Sequence, residues 1–487
     1  MSLLRRCFAV RPVEAIVAEL DSAPPLKRVL TASALTAIGL GSTIGTGIFI
    51  LTGQVAAHHT GPALTLALLI AAFGSTLAAI CYSEFAAMIP VSGSAYTYAY
   101  CTLGEAVAWI IGWNLSLEYL MSASAVAVGW SQYVVNVLGD WGIHLPAVLT
   151  NAPLDKGADS FLVTTGAIIN LPAVLIVLLL GWILYIGIKE SATANSIMVW
   201  IKVAVIVIFI LAGLSYVDTA NWHPYLPPNT GKEGEFGFSG LLRGAAIIFF
   251  SYVGFDAAST TARETRNPQR DVPLGILGAL VISAVLYIAM AAVMTGMVPY
   301  AKLGADAPVA VALDAHPQLK ALGLNALVKI GAIVGMTSVI LMSLLGQPRI
   351  FLAMADDGLL PPSMRKVHPK YRTPHVATMI TTVLAAVIAG LFPLNILGEL
   401  ISMGILLAFA GVCIGVFVLR YTRPNLHRPF RVPLAPVTCT LGALVCLLMI
   451  KFLPDETWLL FAIWSLIGFS IYAVYGYRHS RMRAEGK

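Results

Sequence analysis

Long apolar runs separated by short polar stretches fill almost the whole chain. A helix that crosses a bilayer needs about 20 predominantly apolar residues. By that measure the pattern predicts twelve membrane-spanning helices, near residues 34–57, 62–89, 105–137, 162–187, 192–214, 240–261, 273–298, 323–353, 375–391, 394–420, 431–450 and 456–476. Little of the chain is left for a water-soluble domain, so we expect an all-α integral membrane protein.

The composition agrees with a protein whose surface lies mainly in lipid. Hydrophobic residues make up 58% of the chain and charged residues only 11%, whereas soluble domains have about 25% charged residues. The net charge of +6 would suggest nucleic acid or another anionic surface as the partner of a soluble protein. In a chain this apolar we expect the lipid bilayer as the surrounding medium and no nucleic acid as a partner.

The basic residues divide unevenly between the two sides of the predicted membrane. Twenty-one lysines and arginines fall on the side that holds both termini, against five in the loops of the other side. Because cytoplasmic segments carry an excess of Lys and Arg, we place both termini in the cytoplasm. The short termini and the lack of a cleavable signal fit a multi-pass protein of a bacterial plasma membrane.

Two of the predicted spans contain clusters of small and polar residues. The first span reads GSTIGTGIF from Gly41 to Phe49, and the sixth reads FFSYVGFDAAST up to Thr260. A glycine in a helix interior costs about 1 kcal/mol relative to alanine. Matching clusters five spans apart predict an inverted five-helix repeat whose first helix is interrupted in each half. Close packing of helices through small residues is the alternative.

An interrupted pair of helices has a chemical use. Free N–H groups at the start of a half-helix hold a carboxylate, helped by the partial positive charge there. Free carbonyl groups at the end of the opposing half-helix hold an ammonium group. Two such breaks side by side form a receptor for a zwitterion, of which an α-amino acid is the obvious example.

Three ionisable residues lie deep within predicted spans, namely Glu118, Lys202 and Asp256. Charged groups inside a membrane are costly, so each is a candidate for function. Alternatively they neutralise one another or reach the membrane surface. Arg349 and Lys329 lie nearer the ends of their spans, and we interpret both as interfacial.

Lys202 has only apolar neighbours along its own helix, in the segment MVWIKVAVIVI. It must therefore pair with another helix or release its proton. The carbonyl groups freed by the break in the first span are the nearest acceptors that we predict. Proton binding and opening of the site would then be one event, whereas a permanently charged structural strut is the alternative.

Several segments, in order along nearly the whole chain, resemble the amino acid–polyamine–organocation (APC) superfamily of transporters. They are GSTIGTGIF, FFSYVGFDAAST followed by ETRNPQRDVPLGI, and GQPRIFLAMADDGLLP. The segments GPALTLALLI, YSEFAAMIPVSGSAYTYAY and GEAVAWIIGWNLSLEYL are similar to the branch of cationic amino acid transporters and their bacterial relatives. The resemblance implies the leucine-transporter fold, with two inverted five-helix repeats, broken helices 1 and 6, and two further C-terminal helices.

Under this fold the chain divides into five parts. We expect a cytoplasmic N-terminal segment, a first repeat, a second repeat, two peripheral helices and a cytoplasmic tail, at residues 1–32, 33–216, 238–421, 430–477 and 478–487.

The resemblance also implies which residues bind the substrate. The backbone of the first span would bind the substrate carboxylate, and the sixth span would offer backbone atoms to the α-amino group. These residues are Thr43, Ile44, Gly45, Thr46 and Gly47 in the first span and Phe250, Ser251 and Val253 in the sixth.

Five more residues receive roles from the resemblance. Lys202 matches a lysine that takes the place of a bound sodium ion, so the proton is the expected coupling ion and no sodium or other cofactor is expected. Glu118 and Asp256 match acidic positions that accommodate a cationic side chain. Met336 and Ile340 would border the side-chain pocket, where their bulk favours smaller or neutral substrates.

We therefore predict a secondary active transporter that imports an α-amino acid, cationic or broadly neutral, together with a proton. An exchanger of amino acids or amines is the alternative, and a channel or membrane sensor is disfavoured because no symmetric filter and no soluble output domain are present. An enzyme and a metal site are not expected, since no paired catalytic carboxylates or metal-binding histidine spacing lies within a span. A small single-helix membrane subunit is left open as a further partner, which the sequence does not predict.

Overall fold

The computed structural model is mostly helical and describes residues 10–11, 28, 30–89, 94–157, 162–187, 192–305, 307–371 and 373–484. Its longer helices, numbered in chain order, are α1 (Ala32–Thr43), α2 (Leu64–Met88), α3 (Glu105–Asp140), α4 (Leu171–Ile186), α5 (Ala192–Leu214), α6 (Gly237–Ile248), α7 (Pro268–Met297), α8 (Leu324–Asp356), α9 (His375–Leu391), α10 (Leu394–Thr422), α11 (Ala435–Lys451) and α12 (Asp455–Ile471). Strands β1 (Leu154–Asp155) and β2 (Val163–Thr164) form a small antiparallel hairpin between α3 and α4.

Seven helical segments within the described residues are long and apolar enough to cross a membrane. The shorter helices α4, α9 and α11 are also apolar. The expectation of an all-α membrane protein is therefore confirmed at this level, while the number of twelve spans stays a prediction. Most of the predicted N-terminal segment 1–32, and residues 485–487 of the predicted tail, lie outside the described residues.

Contacts between helix ends define two sides of the bundle. We call the side where α1 begins, at Ala32, the near side, and the side where α3 ends, at Asp140, the far side. On the near side, Arg420 Nε of α10 donates to Glu84 Oε1 of α2 at 3.0 Å. On the far side, Lys329 Nζ of α8 donates to Asp140 Oδ2 at 2.5 Å. The C-terminal ends of α2 and α10 therefore meet, as do the C-terminal end of α3 and the start of α8.

The side chain of Lys329 differs from its sequence-based interpretation as interfacial. It is buried, with 1% of its side chain exposed, although its partner Asp140 is half exposed. The ion pair fixes the far ends of α3 and α8, which pack closely along much of their length. These two helices carry Glu118 and Arg349, so their packing sets the geometry of the candidate site.

Helix α4 begins later than the apolar pattern predicts. The predicted span starts at residue 162, but β2 and a loop occupy the chain up to Asn170. The Asn170 side chain accepts a hydrogen bond from the N–H of Ala173 at 3.3 Å, which caps the first turn of α4. Apolar residues of the hairpin had lengthened the run, because a short apolar strand and a helix segment look alike by hydropathy alone.

Candidate functional site

The first break lies between α1 and the short helical segments that follow it. Helix α1 ends at Thr43, and Ile44 adopts an extended conformation with φ −77° and ψ 99°. Helical turns resume as a π-helix at Gly47–Leu51. The predicted interruption in the GSTIGTGIF segment is thus present, and it lies about midway between the two ends of this membrane segment.

The second break follows α6. A 3₁₀ turn covers Phe249–Tyr252, Val253 is extended with ψ 140°, and Gly254 has φ 114°. Only glycine adopts such a positive φ without strain. The helix resumes as the short segment Ala257–Thr260. The helix is therefore interrupted here because Gly254 takes a positive φ, and the break lies where the cluster of small residues predicted it.

The two breaks are in direct contact through their glycines. A Cβ atom placed on Gly47 would lie 2.6 Å from Cα of Ser251, and one on Gly254 would lie 2.7 Å from the carbonyl carbon of Ser42. Neither position has room for a side chain. Both explanations left open by the sequence therefore apply, since the same glycines interrupt the helices and let them pack closely.

Lys202 of α5 is fully buried and reaches the first break. Its Nζ donates to the carbonyl oxygens of Gly41 at 2.5 Å and Ile44 at 3.1 Å. It also contacts α8, through Ser338 Oγ at 2.9 Å and the Gly335 carbonyl at 3.5 Å. The acceptors are those that the sequence suggested, namely carbonyl groups at the break. One ammonium group thus joins α1, α5 and α8.

Two hydroxyl groups at the breaks have no hydrogen-bond partner among the described residues. They are Thr46 Oγ1 and Ser251 Oγ, and both are buried. Most buried polar atoms in proteins are hydrogen-bonded, so unpaired ones at a candidate site suggest a place for polar atoms of a ligand. Thr43 is different, because its hydroxyl donates to the Gly39 carbonyl at 2.8 Å and its carbonyl accepts from Tyr287 at 3.0 Å. Its hydroxyl and carbonyl are therefore already engaged.

A small cavity of about 40 Å³ lies on the near side of the breaks. Glu118 of α3 and Asp256 both line it, so the structure brings these two predicted acidic residues together. The Glu118 atom Oε2 is buried and has no hydrogen-bond partner among the described residues. The volume is enough for a few water molecules but not for an amino acid. Substrate would need a rearrangement of the lining helices to enter.

Arg349 of α8 lines the same cavity, which the sequence analysis missed by interpreting this residue as interfacial. Arg349 lies on one face of α8 with Met342, Leu345 and Gly346. The four residues follow the i, i+3, i+4 and i+7 spacing of a stripe along a helix. The spacing of that stripe could be seen in the sequence. The direction in which the stripe faces could not be seen, because it depends on how α8 packs against α3, which carries Glu118.

Met336 and Ile340 are buried in α8, as expected for core residues, but neither is among the residues that line this cavity. The α8 side chain beside the first break is Val339, since a Cβ atom placed on Gly45 would lie 3.3 Å from its Cγ2. Whether Met336 and Ile340 contact a substrate stays a prediction. Within the described residues, no group of three or more His, Cys, Asp or Glu side chains could hold a metal ion.

A known protein family matches most of the chain. The model of a family described as amino acid permease matches residues 30–471. The chain belongs to the amino acid permease family. The resemblance to the APC superfamily is thereby confirmed, and the predictions of a membrane protein and a transporter hold at that level.

Known permeases similar to this one have different substrates in their names. The methylthioribose transporter of Bacillus subtilis (strain 168) is 44% identical over 97% of this chain and 98% of its own length. The branched-chain amino acid permease BcaP of the same organism is 43% identical over 98% of each chain. The vacuolar cationic amino acid transporter 4 of Arabidopsis thaliana is 40% identical over 83% of this permease and 65% of its own length.

Proposed function

We propose that this permease imports a neutral α-amino acid together with a proton, by alternating access across the plasma membrane. The observation that carries the proposal is the position of Lys202, whose ammonium group donates to the Gly41 and Ile44 carbonyls at the first break. A single titratable side chain there connects protonation to the backbone of the substrate site.

The two breaks supply complementary groups for a zwitterion. The Ile44 N–H already donates to the Leu40 carbonyl at 3.0 Å, so the backbone N–H groups from Gly45 to Gly47 and the unpaired Thr46 hydroxyl are those that suit a carboxylate. Backbone atoms of Phe250, Ser251 and Val253 suit an ammonium group. Because these contacts are mainly backbone, they would bind any α-amino acid and leave the choice of side chain to the surrounding helices.

Lys202 takes the coupling role in this proposal. Three carbonyl oxygens and one hydroxyl oxygen surround its Nζ, which is the type of oxygen shell that a hard cation also prefers. With the ammonium group in that position no sodium ion is required. Loss of the proton would leave an uncharged amine with two N–H groups for the four surrounding oxygens, which would weaken its hold on the first break and on α8 and let α1 move relative to α8.

The substrate side chain is proposed to be neutral because of Arg349. This guanidinium lines the near-side cavity with Glu118 and Asp256. It supplies positive charge that a cationic substrate would otherwise bring to the two carboxyl groups. The extensive similarity to a branched-chain amino acid permease points the same way. Cationic amino acids are the second candidate class, favoured by the two carboxyl groups themselves.

The full architecture is part of the proposal. Twelve spans in the leucine-transporter fold, with the near side and both termini in the cytoplasm, agree with the helix ends that the two ion pairs bring together and with the distribution of Lys and Arg. The partners are then the amino acid and the bilayer.

Uptake by the purified protein in liposomes tests the proposal. We expect labelled leucine to accumulate when the outside is acidic, without any amino acid inside, and arginine to compete weakly. Uptake that requires internal amino acid and ignores the pH gradient would indicate an exchanger. Uptake that requires sodium would contradict the role of Lys202.

A further inference from the structure

A second and larger cavity of about 270 Å³ opens on the far side of the first break. Gln54, beyond the break, contributes to its wall, whereas Ser42, before the break, lines the near-side cavity. The rest of the wall comes from α3, the β1–β2 hairpin with its flanking loops, and the start of α10. The far-side cavity is therefore separate from the cavity of Glu118 and Asp256.

The far-side cavity is lined by amide and hydroxyl side chains. Among the described residues that line it, Asp155 alone is charged, and the polar ones are Gln54, Gln132, Thr150, Asn151, Asp155, Thr165, Asn170 and Asn395. Amides and hydroxyls bind neutral polar groups as both donors and acceptors. Since none of the described lining residues is cationic and able to bind a carboxylate, the cavity suits a neutral hydrogen-bonding molecule better than an amino acid.

Two of the amides have a fixed orientation. Asn170 Oδ1 accepts from Ser131 at 2.6 Å and from the N–H of Ala173 at 3.3 Å. Asn395 Oδ1 accepts from the N–H of Ile396 at 2.8 Å. Their oxygens are engaged, and the described residues provide no acceptor for either NH₂ group, so both amides can donate to a ligand. Asp155 provides the matching acceptor, because its Oδ1 accepts from the N–H of Lys156 at 2.7 Å and Oδ2 remains.

The hairpin that carries Asp155 is held in place by an ion pair. Lys156 Nζ donates to both carboxylate oxygens of Glu399 in α10, at 2.6 and 2.7 Å. Thr457 of α12 also donates to Glu399, at 2.7 Å. The hairpin next to Asp155 is thereby tied to α10, the helix that also carries Asn395.

We propose that the far-side cavity is a binding site for small neutral molecules with neighbouring hydroxyl groups. Asn170 and Asn395 donate to hydroxyl oxygens, and Asp155 accepts from the hydroxyl hydrogens. Asp155 and Asn395 are both partly buried. A ligand that lacks one of the two adjacent hydroxyls loses a hydrogen bond to this carboxylate and amide set and should bind more weakly. This site does not depend on proton-coupled import.

Calorimetric titration of the full-length protein in detergent with D-ribose tests the proposal. We expect binding to the wild type and about tenfold weaker binding of 2-deoxy-D-ribose, which lacks one hydroxyl. Asp155→Asn and Asn395→Leu should each weaken ribose binding about tenfold or more. The matched control is Asp218→Asn, because Asp218 Oδ1 also accepts a backbone N–H, from Ala220 at 2.9 Å, but Asp218 is not among the residues that line the cavity.

Absence of ribose binding to the wild type would overturn the proposal. Equal affinity for ribose and 2-deoxyribose, or equal effects of Asp155→Asn and Asp218→Asn on ribose affinity, would also overturn it. Competition between ribose and L-leucine for one site would also overturn it. Ribose binding that persists in Lys202→Ala, when amino acid uptake has failed, would support the far-side site. It would also show that ribose binding does not depend on the proposed transport function.

Discussion

The two helix breaks reach the same outcome by different physical means. The first is held by a side chain, since Lys202 of α5 satisfies the Gly41 and Ile44 carbonyls. The second is held by its own backbone, since Gly254 takes φ 114° and Val253 is extended. Under the proposed coupling, the hold of Lys202 on the first break would change with its protonation, whereas the positive φ of Gly254 is a property of the backbone and does not itself titrate. We infer that α1 is the element that switches and that the second break is the fixed half of the site.

Removal of Lys202 should have the largest effect on this difference. Lys202→Ala leaves the carbonyls of the first break without a donor, and we expect uptake driven by a pH gradient to fall at least about 100-fold, as for loss of an essential proton-transfer group. Equilibrium binding of leucine should persist, because its contacts are backbone groups. Uptake and binding assays check the two parts, with the exposed Lys320→Ala as the control.

Gly254→Ala should disrupt the backbone of the second break, which we infer to be the fixed half of the site. The change forces a Cβ atom to within 2.7 Å of the Ser42 carbonyl carbon and also strains the backbone at φ 114°. We expect a loss of more than about 3 kcal/mol of stability, above the usual cost of a strained residue, and no uptake. Gly323→Ala is the matched control, since Gly323 has φ +68° but open space around it. Equal thermal melting of the two variants would show that strain alone matters and that the breaks need not touch.

The charges of the near-side cavity should determine which side chains are accepted. Arg349→Gln removes the positive charge beside Glu118 and Asp256, so arginine and lysine should compete about tenfold better against labelled leucine. Glu118→Gln should act in the opposite direction. Unchanged competition in both variants would mean that the substrate is chosen by size.

The smallest expected effect concerns the unpaired hydroxyl of the first break. Thr46→Val removes Oγ1 at nearly constant volume, so leucine affinity should fall about three- to tenfold, the range of one hydrogen bond. Stability should not fall, because the hydroxyl has no partner among the described residues. Thr52→Val is the control, since its hydroxyl donates to the Ile48 carbonyl at 2.6 Å and its loss should lower the melting temperature.

The parts of the site that depend on local chemistry could be predicted from the sequence. Clusters of small and polar residues indicated both breaks, and the lack of any counter-charge near Lys202 along its helix indicated carbonyl acceptors on another helix. Parts that depend on the direction of a helix face could not be predicted. Arg349 lies about 10 Å from the near end of α8 at 1.5 Å per residue, and its depth alone does not tell whether it faces lipid or Glu118.

A similar limit explains the remaining differences. Val339 is an α8 side chain beside the first break, which the sequence analysis did not name, because a shift of one residue on a helix turns a side chain by about 100°; the pocket contacts of Met336 and Ile340 stay predictions. The start of α4 was misplaced because the apolar residues before Asn170 belong to a hairpin. Hydropathy reports how apolar a segment is, but not what it packs against.

The central claim is that the proton on Lys202 controls the first break. Its most direct test is Lys202→Arg in liposomes that contain a pH-sensitive dye, since a guanidinium fills the position but stays protonated. On addition of leucine outside, the wild type should acidify the interior, and Lys202→Arg should bind leucine without acidifying it. Acidification by Lys202→Arg with the pH dependence of the wild type would contradict the account and make the lysine a strut, with the proton moving through Glu118 or Asp256 instead.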